Sequence, residues 1–113
     1  IELDAGNWLC VGNRANAYLL SGDLDQAEQD FKRLETADPV YAKIGLGNVM
    51  LAKGDSQRAL AYYHQVVEAA PDAGAVYANM ATAYLNLGDV DRAKQCVEKA
   101  ESLGIVIPES FHR

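Results

Sequence analysis

The side chains that could carry a reaction or hold a metal are few here, and their spacing does not serve either task. His64 and His112 lie far apart, and neither has a cysteine or carboxylate at a metal or triad spacing. Cys10 and Cys96 share no metal-type spacing; they read as small buried hydrophobes, with a disulfide or a reactive thiol as the other reading. Gly45-Leu46-Gly47 sits inside a helical pattern and lacks the strand-turn-helix setting of a phosphate loop. No catalytic residue, metal or cofactor is therefore expected, and the chain reads as a non-enzyme. The polar chemistry that remains is that of asparagine. A carboxamide carries both donors and an acceptor, so it can pair with the N–H and C=O of an extended peptide without reading its side chains. Asn13 and Asn16 are three apart and share one face of a helix.

The elements that position these residues follow from a repeated signal. Gly-Asp-x-x-x-Ala occurs as Gly22-Asp23…Ala27, Gly54-Asp55…Ala59 and Gly88-Asp89…Ala93, at intervals of 32 and 34 residues. A fixed period in this range marks stacked copies of one supersecondary unit. Each unit reads as two helices. Trp8 to Leu20, Tyr41 to Ala52 and Val76 to Leu87 form the first helices, each closed by a glycine suited to a left-handed stop. Asp23, Asp55 and Asp89 then stand as N-caps of the second helices, with Gln26 completing a capping-box spacing after Asp23. The second helices place Ala27, Phe31 and Leu34, then Ala59, Tyr63 and Val66, then Ala93, Val97 and Ala100 on one face. Asp38-Pro39 reads as a cap with proline in the first turn, and Pro71-Asp72 breaks the chain again. No segment alternates as strands do, so an all-α fold is expected.

Composition narrows the function classes. Half of the 113 residues are hydrophobic and the formal net charge is −6, with lysine and arginine scattered. That distribution argues against a nucleic-acid surface, and no apolar run approaches the ~20 residues that cross a bilayer. The chain begins at Ile1 with neither methionine nor a signal-peptide pattern. It reads as a mature or excised segment, so cytoplasm and periplasm both stay open.

Taken together, a small residue, an aromatic, Gly-Asp, alanine, an aromatic and proline at a period near 34 resemble the tetratricopeptide repeat. The first copy carries Ala15, Tyr18, Gly22, Ala27, Phe31 and Pro39; the second Leu46, Gly47, Gly54, Ala59, Tyr63 and Pro71; the third Tyr77, Ala81, Tyr84, Gly88, Ala93 and Ala100. The resemblance implies a right-handed α-solenoid over residues 1–113: 1–7 as the tail of a preceding repeat, 8–39, 40–73 and 74–104 as three repeats, and 105–113 as a C-terminal tail. Arg14 and Lys43 depart from it, standing where the family usually has a large apolar residue. The link into the second unit is also two residues shorter than that into the third, a possible kink.

The resemblance further implies a concave groove lined by the first helix of each pair. On that mapping the groove carries Leu9, Asn13, Asn16 and Leu20 from the first unit, Tyr41, Ile44, Asn48 and Leu51 from the second, and Asn79, Thr82, Leu85 and Asn86 from the third. These positions hold no charge, and the acidic residues, Asp25, Glu28 and Asp30 among them, read as caps and a solvated outer face. The groove asparagines either touch a ligand or support the stack, Asn48 above all. Cationic partners for a bound C-terminal carboxylate are missing, since Gly12, Ile44, Ala75 and Asn79 hold those places.

The expected role is a protein-interaction module or scaffold that takes a partner peptide or helix. The alternatives are a self-associating assembly domain, joined through the C-terminal edge, or a regulatory segment of a larger enzyme. For the edge itself, the apolar tail Ile105-Val106-Ile107 either folds back over the last helix or meets another chain. The repeated alanines supply a test of the hairpin packing. A large residue at Ala27 or Ala59 is expected to overpack the facing helices and lower stability by about 1–3 kcal/mol in chemical denaturation.

Overall fold

The computed structural model describes residues 5–105, with side chains from Cys10 onward. The Leu9 side chain, the tail beyond Ile105 and His112 lie outside the described residues. Six helices follow one another: α1 (Ala5–Ser21), α2 (Leu24–Leu34), α3 (Pro39–Ala52), α4 (Ser56–Ala69), α5 (Gly74–Asn86) and α6 (Val90–Ser102). No strand occurs among the described residues, so the all-α expectation stands. α1 begins at Ala5, three residues ahead of the start read at Trp8.

Each hairpin turn is made the same way. Gly22, Gly54 and Gly88 take φ of +89°, +86° and +79°, a region that other residues enter at a steric penalty. The following aspartate N–H then reaches back to a carbonyl five residues earlier: Asp23 to Tyr18, Asp55 to Met50 and Asp89 to Tyr84, at 2.8–2.9 Å. This is the Schellman stop, and its last residue doubles as the N-cap of the next helix. The Asp55 and Asp89 carboxylates accept from the backbone N–H of Arg58 and Arg92, each at 3.1 Å. Asp38 accepts likewise from Tyr41, with Pro39 in the first turn. Asp23 departs from the expectation. Its carboxylate makes no cap bond and instead accepts from the Ser21 hydroxyl at 2.9 Å, so the capping box with Gln26 does not form.

Packing runs mainly between consecutive helices. The hairpins α1–α2, α3–α4 and α5–α6 are the closest pairs, and α2 on α3 and α4 on α5 join them into an array. The small positions Ala15, Gly47 and Ala81 of the first helices and Ala27, Ala59 and Ala93 of the second are all buried. Phe31 and Tyr63 are fully buried beside them. α3 is held from both sides: a Cβ on Gly45 would lie 2.2 Å from the Phe31 ring of α2, and one on Gly47 would lie 2.5 Å from the Tyr63 ring of α4. Both glycines weaken the helix intrinsically by about 1 kcal/mol, and the ring contacts explain why nothing larger stands there.

Arg14 and Asp30 correct two expectations. Asp30 is buried, not part of a solvated face, and Arg14 does not merely interrupt the core. The guanidinium donates to the Asp30 carboxylate from Nε at 2.7 Å and Nη2 at 2.8 Å, and Arg33 adds a longer contact at 3.6 Å. Asp30 holds the Arg14 guanidinium above its ordinary pKa by hydrogen bonding and charge. At the same register the second and third repeats place Leu46 with Tyr62 and Met80 with Cys96, so one position is met by an ion pair, an aliphatic–aromatic pair and a pair of sulfur side chains.

The two ends of the array differ. Cys10 and Ala17 of α1 are exposed where Ala42, Val49, Val76 and Ala83, at the same registers, are buried against the preceding second helix. The reading of Cys10 as a buried hydrophobe is thus corrected; Cys96 is buried as expected, and both are free thiols. On α6 the face that would meet a further repeat carries Val90, Lys94 and Glu101, whereas α4 carries Ser56, Leu60 and Val67 there.

Across the first junction, Lys53 at the end of α3 bridges Glu28 at 2.8 Å and Asp25 at 2.9 Å on α2. The hydrogen bonds from Lys53, then from Lys32, hold the Glu28 carboxyl below its ordinary pKa. A carboxylate shifted down in the folded state stabilises above its unfolded pKa, and the effect is lost as pH falls through the lowered value. Denaturation midpoints followed by circular dichroism should therefore fall on acidification below about pH 4.3, and less steeply in Glu28→Gln.

Candidate partner-binding groove

The array curves because its two rows of helices are spaced unequally. The backbones of α1 and α3, and of α3 and α5, come close, while those of α2, α4 and α6 stand farther from one another among the described residues. The first helices thus form the inner row and the second helices the splayed outer row. The inner row brings together the residues singled out in the sequence, α1 supplying Asn13, Asn16 and Leu20, α3 Tyr41, Ile44, Asn48 and Leu51, and α5 Asn79, Thr82, Leu85 and Asn86.

Within this row the polar side chains are bonded along the stack. Asn16 of α1 donates to the Tyr41 hydroxyl of α3. Asn79 of α5 donates to the Asn48 carbonyl oxygen of α3 at 3.1 Å, and the same oxygen accepts from the Tyr63 hydroxyl of α4. Burial pushes the Tyr63 phenol well above its ordinary pKa, so it stays a neutral donor. The two links join successive first helices, so Asn48 supports the stack, and Asn79 and Asn16 each give one donor to it. Thr82 bonds only weakly, to the Ala78 carbonyl at 3.4 Å. Asn13 and Asn86 are exposed. Leu20 and Leu85 expose 89% and 43% of their surface, while Tyr41, Ile44 and Leu51 are half-buried against the core.

Two features escaped the sequence reading. Tyr41 is an acceptor within the ladder and also packs at a tilt on Phe31, with ring centroids 6.1 Å apart and planes at 54°. His64 is exposed on the outer row, with Nε2 3.2 Å from the Tyr84 hydroxyl, a contact between two repeats that sequence spacing did not signal. Among the described residues no group of three His, Cys, Asp or Glu side chains comes together to hold a metal ion. None of the helices is long and apolar enough to cross a membrane.

Comparison with known proteins agrees with this architecture. Two models described as tetratricopeptide repeat match the sequence, one over residues 11–41 and one over residues 50–102. The chain belongs to the tetratricopeptide-repeat family. The crystal structure of PcrH from Pseudomonas aeruginosa superimposes with a TM-score of 0.84 at 21% identity, covering 97% of this chain and 84% of that one. PcrH in complex with the chaperone binding region of PopB superimposes with a TM-score of 0.81 at 22% identity, covering 89% of this chain and 83% of that one. At these identities the likeness establishes the fold. No curated protein matches the sequence.

In this tetratricopeptide array the Asn48 acceptor is the hinge of the ladder. Asn48→Ala should strand the buried Tyr63 hydroxyl and lower stability by about 1–3 kcal/mol. Adding Tyr63→Phe removes the stranded donor, so the double variant should recover part of that loss in urea denaturation.

Proposed function

We propose that this chain binds another protein by seating an extended segment of it along the inner row of helices. The observation that carries the reading is the chemistry of that row. Its exposed positions combine carboxamides with apolar side chains and hold no charged group: Asn13 and Asn86 at the surface, the remaining carboxamide groups of Asn16 and Asn79, and Leu20, Ile44 and Leu85 between them. Carboxamides can meet the backbone of an extended peptide, and exposed leucines can take its apolar side chains. The likeness in fold to PcrH, which has been seen in complex with the chaperone binding region of PopB, supports a protein-binding role.

Binding of this kind depends little on salt, since no charge pairing is involved. It would favour partner segments that are apolar and uncharged over those ending in an acidic terminus, because Gly12, Ile44, Ala75 and Asn79 offer no cation to a carboxylate.

A library of displayed peptides, selected against the full chain, provides ligands for the test. Asn13→Ala combined with Leu85→Ala removes one polar and one apolar contact without touching the Asn48–Asn79 link. The double variant should keep its circular dichroism spectrum and weaken the selected peptides by about tenfold or more in calorimetry. Undiminished affinity in the folded variant would place the binding surface elsewhere.

A further inference from the structure

The backbones of the second helices stand apart among the described residues, and the two grooves between them are filled differently. Between α2 and α4, the phenol ring of Tyr62 packs on the core, within electrostatic reach of Lys32 on α2. Between α4 and α6 the same registers hold Cys96, 34 residues after Tyr62, and His64, 32 residues after Lys32. A thiol takes far less room than a phenol, and a cleft of ≈300 Å³ is left open there. Buried Met80 and Tyr84 make its floor, Cys96 and Tyr77 its walls, and His64 and Arg92 its rim. The first groove therefore shows what the second one lacks: a phenol ring beside a basic side chain.

Charge decides what accompanies such a ring. Among the described residues, those that line the cleft include no acid, in a chain of net charge −6. Asp89 reaches the Arg92 guanidinium only at 3.5 Å, and the Arg92 side chain stays 67% exposed. Lys99 adds a second cation, its Nζ 5.9 Å from the centroid of the Tyr77 ring in the wall. Carboxylates beside a guest ring can pair with both. One ring in an open cleft gains too little contact to hold a free small molecule against the freedom it loses. Carried on a chain, the ring arrives with neighbours that add contacts, and acidic neighbours suit this rim.

We propose that the cleft between α4 and α6 is a second protein-binding site, which takes a tyrosine side chain flanked by acidic residues on a partner chain. The guest ring lies in the place that Tyr62 fills one repeat earlier, and the flanking carboxylates face Arg92 and Lys99. This site opens on the outer row, so the inference stands apart from what the inner row binds.

The probe is a capped tripeptide of tyrosine between two aspartates, titrated into the full chain and followed by NMR. Signals of the Met80 methyl and the Gln95 carboxamide, both in the cleft, should shift, while the Asn13 and Asn86 carboxamides of the inner row stay put. Shifts confined to the inner row overturn the proposal. Binding should weaken about tenfold when alanine replaces the tyrosine, and it should weaken as salt is raised, unlike binding to the inner row. An alanine probe that binds equally well overturns the proposal. So does p-cresol binding as tightly as the peptide, since that would assign the cleft to a free phenol. Cys96→Tyr supplies the ring from within and should abolish binding. A second variant covers the case in which that substitution loosens the fold. Arg92→Glu changes an exposed side chain, keeps the backbone N–H that bonds the Asp89 cap, and should weaken the peptide about fivefold. Unchanged affinity in folded Arg92→Glu overturns the proposal.

Discussion

The array rests on the approach of two aromatic rings to a helix that offers them no side chain. Phe31 from one repeat and Tyr63 from the next press on α3 at Gly45 and Gly47, where a single added carbon would fall inside the rings. Overpacking of this kind costs about 1–3 kcal/mol, more than the helix propensity that alanine would add. The central helix is thereby locked to the second helix before it and to its own partner. The unequal spacing of the two rows follows, and with it the curvature that opens the inner face. Tyr63 also binds the groove ladder through Asn48, so the same ring sets both the packing of the stack and the orientation of a groove carboxamide.

The polar surface of the groove thus holds the stack together, and under the proposed binding role it would meet a ligand as well. Asn16 to Tyr41 and Asn79 to Asn48 cross from one inner helix to the next and tie the repeats at their narrow side. Those bonds fix side chains that would otherwise lose rotamer freedom on meeting a ligand. A preorganised carboxamide binds at a smaller entropic penalty than a loose one, so the use of Asn48 in the stack does not compete with recognition by its neighbours.

The sequence made the turns legible because their chemistry is local. A glycine at positive φ followed by an aspartate cap is decided within six residues, and three copies in register left little freedom to the rest. What stayed hidden was set by residues far away in the chain. Asp30 looked like one more surface acid until Arg14, 16 residues earlier, was seen to clasp it. The Asn48–Asn79 bond spans 31 residues, and no spacing rule separates a carboxamide that holds the stack from one that faces solvent. Cys10 was read as buried because a free cysteine ordinarily behaves as a small hydrophobe. Its exposure follows from the lack of a packed second helix on that side of α1 among the described residues. Asp23 had the capping sequence but not the bond, since the hydroxyl of Ser21 competes for its carboxylate.

The outer face of α6 has a consequence for what can pack on it. Among the described residues the edge of α1 exposes the small Cys10 and Ala17, whereas Lys94 and Glu101 of α6 stand where α4 has Leu60 and Val67. Packing an apolar helix on that face of α6 would strip water from Lys94 and Glu101. That face of α6 therefore suits water, where the matching face of α4 suits a neighbouring helix.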